Sequence, residues 1–429
     1  MKKSKFIKST IILIIGGFFT KLLGMFIKII MTRLLGPKGI GTYMLISPTF
    51  TLLMGLSSLG MPIAISKLVA EDKRNNKNLI FSSIPIVLIL NVIIMITLIF
   101  ISPFISAKLL NETKTYYALI AIGMVLPFIS ISSILRGYFF GKEKMIPHVV
   151  SNITEDLIRL IILIIGIPYF LNKGLEYAMA FIVLSNIASE LTSIIVLFFF
   201  LPKNFKITKN DIKPINKNIK AVMSIGIPST GSRLIGSIGY FLEPIILTYS
   251  LLKIGLTNDY VVTQYGIING YIMPLLLLPS FFTNAISQAL IPTISHAYVN
   301  GHIKYAKNKI KQAVFFSLLI GIPATIFFEL FPDIPLKLIY NTTEGITYLR
   351  VIAPICLFYY IQSPLTSTLQ AMGKAKEAMF GTLEGMVIRT ISLLIGCLLF
   401  GIWGLIIATS LNMIFITIHQ SYHIKKSLT

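Results

Sequence analysis

The sequence predicts an all-α membrane protein: twelve transmembrane helices in two parallel six-helix repeats around a central cavity. Three observations predict it. Of 429 residues, 55% are hydrophobic and only 13% charged, with a mean hydropathy of +0.82, whereas a soluble domain carries about 25% charged residues. Apolar stretches recur along the whole chain, each near the roughly 20 residues that cross a bilayer core as a helix. Finally, short matches recur in the same order in both halves.

Taken in order, the first six spans fall at about 9–32, 42–66, 79–105, 115–139, 147–171 and 175–201. The second six fall at about 219–249, 265–297, 312–331, 347–370, 378–400 and 402–422. Lys2, Lys3, Lys5 and Lys8 precede the first apolar run in the manner of a signal peptide. That run is too long, holds two further lysines and has no small-residue cleavage site, so it reads as a span. An N-terminal lobe is expected over 1–202, a basic cytoplasmic linker over 203–220 and a C-terminal lobe over 221–429.

An even number of spans puts both termini on one side. Loops on that side hold twenty-five Lys and Arg against seven on the other. Cytoplasmic loops carry the excess of basic residues, so both termini are expected in the cytoplasm of a multi-pass protein of the cell membrane. The net charge of +22 is thereby explained without nucleic acid, for which no polar fold is present to hold a base-reading site.

The internal repeat is carried by four matches. Thr20-Lys21-Leu22-Leu23-Gly24 in span 1 reads like Ser232-Arg233-Leu234-Ile235-Gly236 in span 7, and Pro62-Ile63-Ala64-Ile65-Ser66 like Pro292-Thr293-Ile294-Ser295. Gly141-Lys142-Glu143-Lys144 matches Gly373-Lys374-Ala375-Lys376, and Glu155 with Arg159 in span 5 matches Glu384 with Arg389 in span 11. Six spans per half keep matching helices in the same orientation, which makes the halves parallel repeats about an axis along the membrane normal.

Besides Arg136 and Lys220, which are grouped with the loops at their span ends, six basic residues lie within the spans: Lys21, Lys28, Arg159, Arg233, Arg350 and Arg389. A cation at mid-membrane costs about 2.5–3.5 kcal/mol on insertion scales, so it faces a wet cavity or a partner. Gly17, Lys21, Gly24 and Lys28 share one helix face. Lys21 lies about 20 Å into the bilayer at 1.5 Å per residue; a carboxylate on a neighbouring helix is its other explanation, and snorkelling is that of Lys28. Span 7 is broken by Gly226, Pro228, Gly231, Gly236, Gly239 and Pro244, a pattern tolerated where protein or water satisfies the freed backbone. Arg233, Gly236, Tyr240 and Glu243 follow one side of it, with Glu243 either at the cavity or holding Arg233. Lys21 and Arg233 are repeat mates at one depth, and two such cations suit a diphosphate.

Glu155 and Arg159, four apart, can pair within their own helix, and Glu384 with Arg389 repeats the theme. These pairs are read as ties between lobes, or as a gate that opens when they break. Asn186, Glu190 and Ser193 make a polar stripe on span 6, where Glu190 is either an H⁺ or Na⁺ coupling site or part of helix packing. Arg350 and Glu329 sit near outer ends and are explained by snorkelling. No phosphate-cradling G-x-x-x-x-G-K-[ST] occurs. The five histidines lack metal-ligand spacing, and Cys356 and Cys397 both lie in apolar runs. No metal, cofactor or catalytic residue is expected.

Several segments resemble the stage V sporulation protein B family. Leu34-Leu35-Gly36-Pro37-Lys38-Gly39-Ile40-Gly41-Thr42-Tyr43 and Gly60-Met61-Pro62-Ile63-Ala64-Ile65-Ser66-Lys67-Leu68-Val69-Ala70-Glu71 are similar to its first two spans. Ser232-Arg233-Leu234-Ile235-Gly236, Leu242-Glu243-Pro244, Tyr265-Gly266-Ile267-Ile268-Asn269-Gly270 and Leu275-Leu276-Leu277-Leu278-Pro279-Ser280 are similar to its seventh and eighth. That family belongs to the multidrug, oligosaccharidyl-lipid and polysaccharide exporter superfamily. The resemblance implies a flippase for a polyprenyl-pyrophosphate-linked saccharide or peptidoglycan precursor, serving cell-wall or spore-cortex synthesis. It also implies Lys21, Lys28 and Arg233 as the pyrophosphate-binding positions. Many members have fourteen spans, where twelve are read here.

The expected mechanism is alternating access by a monomer among membrane lipids, with Glu243 beside the basic residues. A cation-coupled exporter of small organic solutes is the alternative, and it would depend on Glu190 and Glu243. A scaffold that recruits cell-wall synthesis enzymes is a third reading, and it would depend on the loop lysines.

Overall fold

The computed structural model describes residues 2–72, 74–202, 211 and 213–428, and every regular element among them is helical. Helix α1 (Lys2–Ser57) contains the first span and most of the second, separated at Gly36, whose φ of 67° interrupts the helix ahead of Pro37. Glycine tolerates that φ because it lacks Cβ, and the following proline has no N–H to continue the ladder. The second span does not run straight to residue 66 as expected. The backbone turns through positive φ at Leu59 and Gly60 and resumes as α2 (Met61–Ala70).

Helices α3 (Asn76–Phe104), α4 (Tyr116–Gly141), α5 (Ile146–Leu171) and α6 (Leu175–Phe199) complete the first six spans. The Asn75 side chain caps α3, accepting from the N–H of Lys77 at 2.9 Å, as N-cap side chains do for orphan donors. Helix α7 (Asn216–Lys253) bends by 44° between Gly231 and Gly236.

The eighth span, expected to be continuous over 265–297, is instead assembled from α8 (Asn258–Gly266), a π-helical turn (Ile267–Ile272), α9 (Met273–Leu277) and α10 (Ser280–Val299). Pro274 and Pro279 explain the division, since each removes a donor and crowds the preceding turn. Next come α11 (Ile303–Leu330), the short α12 (Asp333–Tyr340), and α13 (Ile346–Ile352) with α14 (Cys356–Ala371), which meet at 48° near Pro354. Helices α15 (Ala375–Phe400) and α16 (Trp403–Leu428) close the chain. Among the described residues seven helices are long and apolar enough to cross a membrane, nine if each bent pair is one span. Helix α5 is absent from that set; its central stretch carries Glu155, Asp156 and Arg159.

Two compact units divide at Phe241/Leu242, inside α7. In the first, Met61, Ile65, Leu79, Phe139 and Leu197 form a core that also takes Val222 and Ile225 of α7. The turn after α1 fits against α7 because both partners are glycine: a Cβ on Gly60 would meet the Gly226 carbonyl at 2.7 Å, and one on Gly226 the Leu59 carbonyl at 2.5 Å. In the second unit, Ile294, Ile310, Leu369, Met372, Ala378, Ile424 and Leu428 pack together where α10, α11, α14, α15 and α16 end or begin.

Residues 203–210 and 212 of the expected basic linker lie outside the described residues. The part that follows is anchored to the start of α3. Asn75 Nδ2 donates to Asp211 Oδ1 (2.9 Å), Asn78 Nδ2 to the carbonyl of Lys213 (2.8 Å), and Asn218 Nδ2 to Asn78 Oδ1 (2.7 Å). Arg74 donates to Asn218 Oδ1 at 2.9 Å and the Ile215 N–H to Ser82 Oγ at 3.0 Å.

Candidate functional site

Lys21 is exposed on α1 and Lys28, two turns on, is half-buried. Between and before them a Cβ placed on Gly17 or Gly24 would meet nothing within 4 Å, so the face carrying Lys21 has open space beside it. Arg233 is likewise exposed on α7, at the bend, with nothing within 4 Å of a Cβ on Gly231 or Gly236. Among the described residues no salt bridge involves Lys21, Lys28 or Arg233.

Arg136, Arg159 and Arg389 belong instead to two ion-pair networks with buried carboxylates. In the first unit, Arg136 of α4 reaches Glu155 of α5 at 2.5 Å, Glu190 of α6 at 3.5 Å and Ser193 Oγ of α6 at 2.9 Å. Arg159 of α5 reaches Glu155 at 2.6 Å and Asp156 at 3.6 Å, and donates to Ser189 Oγ of α6. Two guanidinium groups therefore face three carboxylates, and three helices of one unit are tied through them. Glu155, Asp156 and Glu190 are all buried. An ion pair at such depth survives only when good geometry and extra hydrogen bonds offset desolvation, which the serines on α6 supply.

In the second unit Arg389 of α15 meets Glu243 of α7 at 2.5 Å, while Tyr265 of α8 donates its hydroxyl to the other carboxylate oxygen at 3.1 Å. Arg389 also lies 3.5 Å from Thr409 Oγ1 on α16.

The structure corrects several pairings. Arg389 was expected to pair with Glu384, but its carboxylate partner is Glu243, and Glu384 lies 3.5 Å from His419 Nε2 on α16. A spacing of five carries the two side chains to different sides of α15, whereas the spacing of four in Glu155 and Arg159 keeps them together. Glu243 was expected at the cavity or against Arg233; it is buried and held by Arg389 and Tyr265. The Glu155 and Arg389 pairs each lie within one unit, so they tie helices inside a unit rather than lobe to lobe. Arg136, grouped with the loop cations by its place at a span end, is the hub of the first network. Its signal was present: it lies one turn before Phe139 and among Ser132, Ser133 and Tyr138, all of them buried. Arg350 donates to the carbonyl of Glu329 at 3.3 Å. Among the described residues no group of three His, Cys, Asp or Glu is placed to hold a metal ion.

Residues 6–298 match the family described as polysaccharide biosynthesis protein, and residues 235–395 match the family described as MatE. The chain is 36% identical over 440 residues to Stage V sporulation protein B of Bacillus subtilis (strain 168), covering all of this chain (100%) and 85% of that protein. It is 22% identical to Lipid II flippase MurJ of the same organism, covering 96% of this chain and 81% of that one. Among solved structures, a multidrug resistance MATE family transporter of the MOP superfamily in its inward-facing conformation superposes with a TM-score of 0.76 at 17% identity, covering 95% of both chains. The multidrug transporter DinF-BH superposes with a TM-score of 0.66 at 18% identity, over 99% of this chain and 95% of that one.

Proposed function

The chain belongs to the family of polysaccharide biosynthesis proteins, and from that premise we propose that this multi-pass membrane protein is a flippase. Its cargo is an anionic lipid-linked oligosaccharide or peptidoglycan precursor, moved from the cytoplasmic to the outer leaflet for cell-wall or spore-cortex synthesis. A relative over the whole chain is a stage V sporulation protein and another is a lipid II flippase.

One observation carries the reading. Of the six cations within the spans, Arg159 and Arg389 are neutralised by carboxylates and Arg350 bonds to a backbone carbonyl, while Lys21 and Arg233 stay exposed beside open, glycine-flanked space. Cations at membrane depth face a wet cavity or a partner; these two have no carboxylate partner among the described residues, and a pyrophosphate presents oxygens to both. In this reading Lys21, Lys28 and Arg233 engage the headgroup from the cytoplasmic side, where both termini lie, while the polyprenyl tail stays in lipid. The two lobes then alternate access. No covalent bond is made or broken. Expelling one negative charge down an inside-negative potential of 100 mV gains about 2.3 kcal/mol, so this arithmetic requires no nucleotide.

The alternative, a cation-coupled exporter of small solutes, draws on Glu190 and Glu243. Both are engaged by arginines, at 3.5 Å and 2.5 Å, which leaves the basic residues as the groups with capacity to spare.

The test is headgroup translocation in proteoliposomes loaded with purified lipid-linked precursor. Lys21→Ala with Arg233→Ala abolishes flipping while the protein still inserts and unfolds normally. Normal flipping by the double variant refutes the assignment.

A further inference from the structure

At the turn joining α10 to α11 the second unit has an open cleft of about 860 Å³, lined by His296, Gly301, His302, Lys304, Tyr305 and Asn308, with Ala297 and Ile303 as its apolar wall. The proposed function does not use these polar groups. His296 lies against Asn300, whose Nδ2 is 3.2 Å from its ring, and both His302 and Lys304 are exposed.

Three features give the cleft one electrostatic sign. No Asp or Glu occurs between Asp259 and Glu329, while Lys304, Lys307, Lys309 and Lys311 fall on the first turns of α11. No side chain caps the N-terminus of this 28-residue helix, so its positive end adds to the lysines. Gly301, at φ 74° with nothing within 4 Å of a Cβ, leaves the mouth clear. Lys309 is turned aside, onto the Tyr305 ring at 5.4 Å and Gln312 at 3.0 Å, which leaves Lys304 as the ammonium in the cleft lining.

The site lies at the end of the unit where Met372, Ile424 and Leu428 pack beside Ile294 and Ile310, hence at the membrane edge next to the C-terminus. Four or more basic residues beside a span attract anionic lipid. Lys, Tyr hydroxyl, Asn amide and imidazole groups together make a donor set for phosphate oxygens. The volume exceeds that of a phosphate alone and leaves room for a glycerol-sized substituent.

We propose that this cleft is a phosphate-binding site, separate from the Lys21 and Arg233 region, which takes the phosphodiester headgroup of an anionic membrane phospholipid or a soluble phosphate ester. The test uses the full chain, purified and reconstituted in nanodiscs of phosphatidylglycerol with phosphatidylcholine, and counts phosphatidylglycerol retained by native mass spectrometry. Lys304→Gln with His302→Gln weakens retention by about tenfold or more, the value of one or two charge-assisted bonds. Lys307→Gln, which removes the same charge from the same helix outside the cleft lining, weakens retention less, by about fivefold at most. Titration with inorganic phosphate separates the sources. Competition at millimolar phosphate marks a site open to soluble esters, and its absence with retained lipid marks a lipid headgroup site. Equal loss with Lys307→Gln, or retention unchanged by Lys304→Gln with His302→Gln together with no phosphate binding, overturns the proposal.

Discussion

Removing Arg136 leaves Glu155 and Glu190 short of a counter-ion among buried neighbours, with Arg159 as the remaining guanidinium for three carboxylates. At an effective dielectric of about 20, a unit charge at 3.5 Å, the Arg136 to Glu190 separation, contributes roughly 5 kcal/mol before desolvation is subtracted. Breaking one partner of a buried pair costs about 3–5 kcal/mol net, which is about a hundredfold to several thousandfold in the folding equilibrium.

Arg136→Ala is therefore expected to unfold far more readily than wild type in detergent, followed by circular dichroism against added denaturant. Adding Glu190→Gln to it removes the stranded charge and recovers a measurable part of the loss, and the double-mutant cycle reads the coupling. The exposed pair Lys337 and Asp333, 3.5 Å apart with side chains 60% and 45% exposed, is the control. Its removal costs about 0–1 kcal/mol. If Arg136→Ala loses no more than Lys337→Ala, or if Glu190→Gln deepens rather than repairs the loss, the network does not hold α4, α5 and α6 together.

Further outcomes follow from the same structure. Gly24→Cys, facing open space, is expected to accept a water-soluble maleimide without loss of stability; protection from label in the inserted protein would place that face in lipid. Gly226→Ala puts a methyl 2.5 Å from the Leu59 carbonyl and is expected to destabilise by about 1–3 kcal/mol through overpacking, read from the same unfolding curves. Glu243→Gln alone removes the carboxylate 2.5 Å from the half-buried Arg389, and should lower thermal stability more than Glu243→Gln with Arg389→Met. Asn78→Ala removes bonds to Lys213 and Asn218, worth about 1 kcal/mol each. Limited proteolysis should then cut faster in the segment around 211–218.

The fold was legible because its determinants are averages and periods. Apolar run length located the helices at ends that proline and glycine mark, and the failures came where such residues fell inside a run. Pro274 and Pro279 divided the eighth span, and Pro354 bent the tenth. The candidate site was legible in part. Lys21, Gly24, Arg233 and Gly236 stood out because a cation next to glycine is costly in an apolar run, and the structure leaves Lys21 and Arg233 exposed. Ion-pair partners were less legible. Glu155 with Arg159 follows from helical geometry, but Arg389 with Glu243 joins residues far apart in sequence, and nothing in local spacing selects one distant carboxylate over another.

Amino-acid order alone determined that the chain is a helical membrane protein with related halves and isolated charges at depth, because hydropathy and turn length are properties of a segment and its solvent. Only the tertiary structure decided which of those charges are spent. Burial makes an unpaired ion intolerable, so packing brought Arg136, Arg159 and Arg389 onto carboxylates of other helix positions. It left Lys21 and Arg233 beside open space.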